Sequence, residues 1–470
     1  MNKNKDSLGL IRDRGFTKQS KLSLFFFCYY TFFYLAIPAV RTYESSAWRM
    51  ITDRFLANDI FGRGSFGGLL VIFPETSKKI SQESLFSVGT VNARDMFAFG
   101  SSSVKDPEIY TSQFGLIGDV GGFLQTYLNV SPFSLYIIFT FVCLALTSTI
   151  LARIILIFSQ NFGRRAALVS LITFLTPWPI LHASNFYYTM YLNLAFLIIP
   201  IEIRNMLQRK NREEYFQKAL WIFLAIFTFF LSLTNYTYVT VWVSCLVIGI
   251  TISSKDKQLI LRNYLKPIGA LGIGLISAII CHLIRVKSYA TSIKGTNWIE
   301  YVLRNKMGLA HGNIPTEYQE SINKSPLDVL DLYLKEPLTT RWLQNKLPDI
   351  LGYANGYLLL AISLVVLLYC VFRKVGPCGR LVSLGRLNLI AISGPLSWIL
   401  LMRPHSWDNA HLNYIFLFLP AIPLLFATLL AQLESERIGV DRLQLPRVEL
   451  ILIPTLITLF LLSYLVFWLL

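Results

Sequence analysis

The sequence predicts an all-α polytopic membrane protein with about eleven transmembrane helices and two large outward loops. Three observations lead there. Of the 470 residues, 54% are hydrophobic and only 15% charged, where soluble domains carry roughly a quarter charged residues; mean hydropathy is +0.52. Apolar runs long enough to cross a bilayer recur along the chain. Lysines and arginines gather in alternate short connections between these runs, which is the positive-inside pattern. The net charge of +16 thus has its simplest source in membrane orientation, and nucleic acid is set aside as a partner.

Residues 1–21 form a basic cytoplasmic tail carrying Lys3, Lys5, Arg12, Arg14, Lys18 and Lys21. The apolar run that follows is too long and too aromatic for a cleaved signal, so 22–41 is the first span. The first outward loop occupies 42–132. Spans then fall at 133–158, 165–182, 186–203, 218–235, 237–253 and 267–284, completing an N-terminal transmembrane region over 22–284. A second large outward loop takes 285–352. The C-terminal transmembrane region, 353–470, holds spans at 353–372, 388–402, 412–431 and 449–469. With the N-terminus in the cytoplasm, every short inside loop is basic: Arg164 and Arg165; Arg204 to Lys218; Lys255 to Lys266; Arg373 to Arg386; Arg437 to Arg447. The C-terminus then lies outside. The six cysteines have no CxxC or metal-like spacing and read as small core residues. No internal repeat is evident, which weakens an inverted-repeat transporter.

Polar chemistry collects on the outward side. All five histidines, His182, His282, His311, His405 and His411, fall at outward span ends or in outward loops. Trp48, Trp178, Trp298, Trp342 and Trp407 do likewise, as an interfacial aromatic belt would. Loops as long as the two outward ones are usually functional. The first opens with RTYESSAWRMITDRFL (41–56), where Trp48, Ile51 and Phe55 have the spacing of an amphipathic helix lying on the membrane. Glu44 and Asp53, with Arg49 between them, sit close to the bilayer; a partly desolvated carboxylate there is suited to take a proton from a hydroxyl. The plainer reading makes these acids and Asp59 the solvated face of that helix.

Further on, YTSQFGLIGDVGGFLQTYL (110–128) sets Gln113 and Asp119 among glycines that permit close approach. It lacks the GxxxxGK[ST] pattern of a phosphate loop and reads as a helix returning to the membrane. A third cluster is RPHSWDNAHLNY (403–414). Arg403, His405 and His411 can donate to phosphate oxygens, Asp408 can orient a histidine, and Asn409, Asn413 and Tyr414 add neutral hydrogen bonds. An ordinary polar turn is the competing account, although a short turn does not normally need so many ionisable groups.

The long acid-bearing loop after the first span, the span count, and the late polar loop leading into NYIFLFLPAIP (413–423) together resemble the GT-C superfamily of polytopic glycosyltransferases, of the surface-polysaccharide type. At residue level the likeness covers roughly 41–59, 108–124 and 403–423, and SNFYYTMYLNLAFLIIP (184–200) resembles a turn-and-span of bacterial surface-polysaccharide proteins. The resemblance implies a polyprenyl-phosphate-linked sugar donor, a glycan, lipid or protein acceptor, and a carboxylate base in the first outward loop. By position Glu44 matches the base first and Asp53 second, although many members pair two acids there and Glu44 is flanked by Tyr43 and Ser45. It further implies a bacterial inner membrane.

The chemistry of the residues is consistent with it. A lipid-phosphate donor needs its tail in the bilayer, fixed cations for its head, and its sugar in water; Arg403, His405, His411, Arg285, Lys287 and His311 are outward groups suited to the head. No cofactor is read from the residues, and a divalent cation stays open. Rival readings are a lipid-linked polysaccharide polymerase or ligase, a flippase or transporter of lipid-linked glycans, and a scaffold. A flippase predicts charged residues deep in several spans, whereas Arg153, Glu202 and Glu449 fall near span ends.

Overall fold

A computed structural model describes residues 3–36, 71–72, 108–109, parts of 116–130, 132–162, parts of 167–175, 190–234, 236, 238–253, 262–292, parts of 295–302, 324–335 and 394. The described part is helical apart from one two-residue ladder. Its helices are α1 (Lys3–Ala36), α2 (Pro132–Phe162), α3 (Met190–Asn193), α4 (Ala195–Arg209), α5 (Phe216–Thr234), α6 (Val239–Ser253), α7 (Arg262–Ser292) and α8 (Pro326–Lys335). A 3-10 turn, Glu213–Tyr215, leads into α5. Strands β1 (Val71–Ile72) and β2 (Glu108–Ile109) pair antiparallel, Val71 opposite Ile109, and tie together two distant points of the first long loop.

Three helical segments among the described residues are long and apolar enough to cross a membrane: Ile137–Asn161 of α2, Glu213–Thr234, which joins the 3-10 turn to α5, and Asn263–Ser288 of α7. They meet the spans read at 133–158, 218–235 and 267–284. α6 matches the span at 237–253 but is shorter; its 15 residues reach about 22 Å, below the ~30 Å hydrocarbon core. α1 begins well before Leu22, so the helix takes in most of the basic tail. α7 likewise runs past residue 284 into the stretch read as the second outward loop. Polar residues at a span end do not stop a helix, because backbone hydrogen bonds continue into water as readily as in lipid. The spans read at 353–372, 412–431 and 449–469 lie outside the described residues, as does all of 388–402 except Gly394.

The chain divides into two compact units: Met1–Ala152 with Ile180–Trp242 and Leu259–Ile314, and Arg153–Pro179 with Val243–Gln258 and Pro315–Leu470. In the first unit α1 meets α2 through Phe27 and Phe141, with ring centroids 6.3 Å apart. Phe26 and Tyr30 stack along the buried side of α1. Hydroxyls on α2 turn back onto their own helix: Ser148 donates to the Leu144 carbonyl at 2.6 Å and Thr149 to that of Ala145 at 2.8 Å. That arrangement lets polar side chains sit in an apolar medium.

α4 ends in a Schellman turn. Asn211 adopts the left-handed conformation at φ 52°, the Arg212 N–H donates to the Leu207 carbonyl at 2.9 Å, and the Asn211 N–H donates to that of Gln208 at 3.1 Å. The chain reverses there into α5. Arg204 on α4 lies over the Phe216 ring at the start of α5, 5.1 Å from its centroid. In the second unit, α8 starts on a reciprocal cap: the Asp328 N–H donates to Ser325 Oγ at 3.1 Å and the Ser325 N–H to Asp328 Oδ2 at 2.7 Å.

Candidate functional site

The site is built on the pair α5 and α7. On α7, Ala270, Gly274, Ala278, His282 and Val286 recur every four residues, and Ala270, Ala278, His282 and Val286 are all buried. On α5, Leu220, Leu224, Thr228 and Ser232 make the corresponding buried row. Residues spaced by four share one helix face. The two faces meet at Gly274, where an added Cβ would lie 2.9 Å from the Phe229 nitrogen and 2.9 Å from Thr228 Cβ, and closer still to the Ala225 carbonyl oxygen. Glycine is required at this position because the neighbour is backbone, which cannot rotate away.

Four residues further on, Ala278 packs with Leu233. Residue numbers therefore rise together on the two helices, so α5 and α7 run in the same direction. Two parallel membrane helices need an odd number of crossings between them, and α6 is the one helix described between their sequences.

Leu116, in the middle of the 110–128 stretch, packs on the Leu233–Ala278 contact together with Phe229 and Cys281. This brings Leu116, from the long segment between α1 and α2, beside the later turns of the membrane-capable Asn263–Ser288 segment. In those turns His282 is buried at 3% exposure, Arg285 is half-buried and Lys287 is exposed. Ser288 and Thr291 are held by their own helix, donating to the Ile284 carbonyl at 3.1 Å and the Lys287 carbonyl at 2.8 Å. The polar groups thus grade from an enclosed imidazole through a half-enclosed guanidinium to an exposed ammonium within two turns. A guanidinium at such a boundary can hold an anionic oxygen pair in fixed geometry.

Of the residues singled out from the sequence as site candidates, Arg285 and Lys287 are placed by the described structure, both near the end of α7. Glu44, Arg49, Asp53, Gln113, Asp119, His311, Arg403, His405, Asp408, His411 and Tyr414 lie outside the described residues. Reading by residue type missed Gly274 and Leu116. The four-residue recurrence of Ala270, Gly274 and Ala278 was a visible signal for the first; nothing local distinguishes Leu116 from other apolar residues of its loop. His282, read at the end of the seventh span, lies in the buried row of α7.

Below this site, the Trp242 indole N–H donates to Asn193 Oδ1 in a buried pair. The Trp242 ring stacks on Phe196 with centroids 5.3 Å apart, and Phe196 meets Phe227 of α5 edge-on at 5.2 Å. This polar bond and the ring contacts around it tie the start of α6 to α3, α4 and α5. No family model, curated protein or solved structure matches the chain.

Proposed function

We propose that the chain is a GT-C-type membrane glycosyltransferase, moving a sugar from a polyprenyl-phosphate donor to a glycan, lipid or protein acceptor on the outer face of a bacterial inner membrane. The observation that carries this reading is the half-buried Arg285 at the far end of a membrane-capable helix, with a first-loop residue, Leu116, packed on the neighbouring turns. A cation so placed suits a ligand with an apolar tail and an anionic head.

In the proposed reaction the carboxylate of Glu44, or of Asp53, takes the proton of the acceptor hydroxyl. The acceptor oxygen attacks the anomeric carbon from the face opposite the phosphate, a new glycosidic bond forms, and the bond from carbon to phosphate oxygen breaks. The electron pair leaves on the lipid phosphate, and the configuration inverts. Arg285, Arg403, His405 and His411 offset the developing charge. The topology that goes with this reading has about eleven spans, the N-terminus in the cytoplasm and the C-terminus outside.

The test is mass spectrometry of lipids that co-purify with the full chain and with Glu44→Gln. A polyprenyl-phosphate sugar enriched in the variant is the result expected of a stalled transferase, and its mass identifies the sugar. Bulk phospholipid alone in both proteins would overturn the reading in favour of a transporter or scaffold.

A further inference from the structure

The turn joining α4 to α5 presents a charged surface that the transfer reaction does not use. Arg209, Lys210 and Arg212 are exposed around the Schellman turn, and Lys218 is exposed on the first turn of α5. These cations outnumber the acids beside them, Glu213 and Glu214. The aromatic side chains Tyr215 and Trp221 stand exposed on either side of Lys218 in sequence. Below Lys218, at successive four-residue steps, come Ile222, Ile226 and Phe230, exposed by 44%, 55% and 54%.

Lys218, Ile222, Ile226 and Phe230 therefore form one line down the outer face of α5, opposite the row that packs on α7. From Lys218 to Phe230 the helix rises about 18 Å. Half of a bilayer's hydrocarbon core is about 15 Å deep. The line has a charged head flanked by interfacial aromatics and, from Ile222 to Phe230, an apolar length of about 12 Å that covers most of one leaflet. The turn is held rigid from within by Arg204 on the Phe216 ring and by the two Schellman hydrogen bonds. The backbone positions from which its cations project are thereby held.

We propose that this α4–α5 hairpin binds an anionic phospholipid, its phosphodiester head on Lys218 and Arg212 with Arg209 and Lys210 nearby, and an acyl chain along Ile222, Ile226 and Phe230. Basic clusters at a span end attract anionic headgroups with about 1 kcal/mol per cation, which is roughly fivefold in affinity. The apolar line supplies no preference for charge, so discrimination between anionic and zwitterionic lipid rests on the cations. The proposal holds whichever reaction the outward site performs.

The test uses the full chain in phosphatidylcholine nanodiscs, titrated with phosphatidylglycerol of the same acyl chains and read by native mass spectrometry. The parent is expected to prefer phosphatidylglycerol. Lys218→Gln is expected to reduce that preference roughly fivefold and Lys218→Gln with Arg212→Gln roughly 25-fold, while Lys218→Arg keeps it. Arg209 and Lys210 remain in these variants to hold the orientation of the hairpin. Glu214→Gln removes a competing charge and is expected to raise the preference, a gain that misfolding would not produce. Equal preference in parent, double variant and Glu214→Gln would overturn the proposal, as would equal binding of both lipids by the parent.

Discussion

Gly274 of α7 faces the main chain of α5 so closely that a methyl group in place of its hydrogen would sit 2.9 Å from the Phe229 nitrogen. This contact sets the distance between the two helices that carry the candidate site. Gly269 and Gly272, on the same helix, have nothing within 4 Å of an added Cβ. Glycine thus has three occurrences here and one steric requirement.

Gly274→Ala is expected to lower stability by about 1–3 kcal/mol, the usual range for overpacking. Gly272→Ala is expected to be neutral or to stabilise by up to about 1 kcal/mol, since alanine is the better helix former. Unfolding midpoints of both variants in the same detergent check this; a larger loss at Gly272 than at Gly274 would contradict the packing described.

Trp242→Phe keeps most of the ring contacts but leaves Asn193 Oδ1 enclosed without its donor. An unsatisfied buried acceptor costs about 1–3 kcal/mol. Replacing Asn193 by Leu as well removes the acceptor, so the double variant is expected to be less destabilised than the sum of the singles. Additive losses would show that the two residues do not depend on one another.

At the start of α8 the Ser325 N–H and hydroxyl, both bonded to Asp328, hold its carboxyl below the usual carboxylate range. A folded-state value below the unfolded one means that the cap is fully effective above about pH 4, the unfolded carboxylate value, and is lost as pH falls further, through the lower folded value. Hydrogen exchange across 326–335, corrected for intrinsic rates, should show constant protection from neutral pH down to about pH 5 and a decline below about pH 4. Asp328→Asn is expected to remove that decline. The same decline in the variant would place its origin elsewhere.

Arg285→Gln is expected to weaken binding of a polyprenyl phosphate at least roughly tenfold, as befits loss of a charge-assisted contact, while Lys287→Gln, at an exposed position, changes it little. Affinity for the lipid phosphate, measured in nanodiscs, decides between them. An unchanged affinity in Arg285→Gln would remove this residue from the site.

A cysteine at His405 is expected to react with an impermeant thiol reagent added from outside intact cells. Labelling from the cytoplasmic side alone would reverse the orientation inferred from the basic loops.

The helical membrane class was legible because it depends on additive quantities: apolar length, few charges, and basic residues in alternate connections. α2, α5 and α7 fall where the apolar runs lie, and Ser325-Pro-Leu-Asp328 is a local capping pattern that needs no distant partner. Helix ends were less legible. α7 extends beyond its apolar run through Ser292, since helix propagation does not stop at the hydrocarbon boundary. The site was legible only as an inventory of ionisable groups read as outward, of which His282, Arg285 and Lys287 are among the described members.

What the sequence determined by itself, then, is the chain's class, the three membrane-capable helices among the described residues and the location of its ionisable residues along the polymer. Tertiary structure alone decided that α5 and α7 run side by side in the same direction, that Gly274 rather than Gly272 marks their closest approach, and that Leu116 joins them across more than a hundred residues of chain. The reason is physical. Hydropathy and local capping are properties of a residue and its near neighbours, whereas the choice of one face of an apolar helix over another depends on the shape of the helix packed against it.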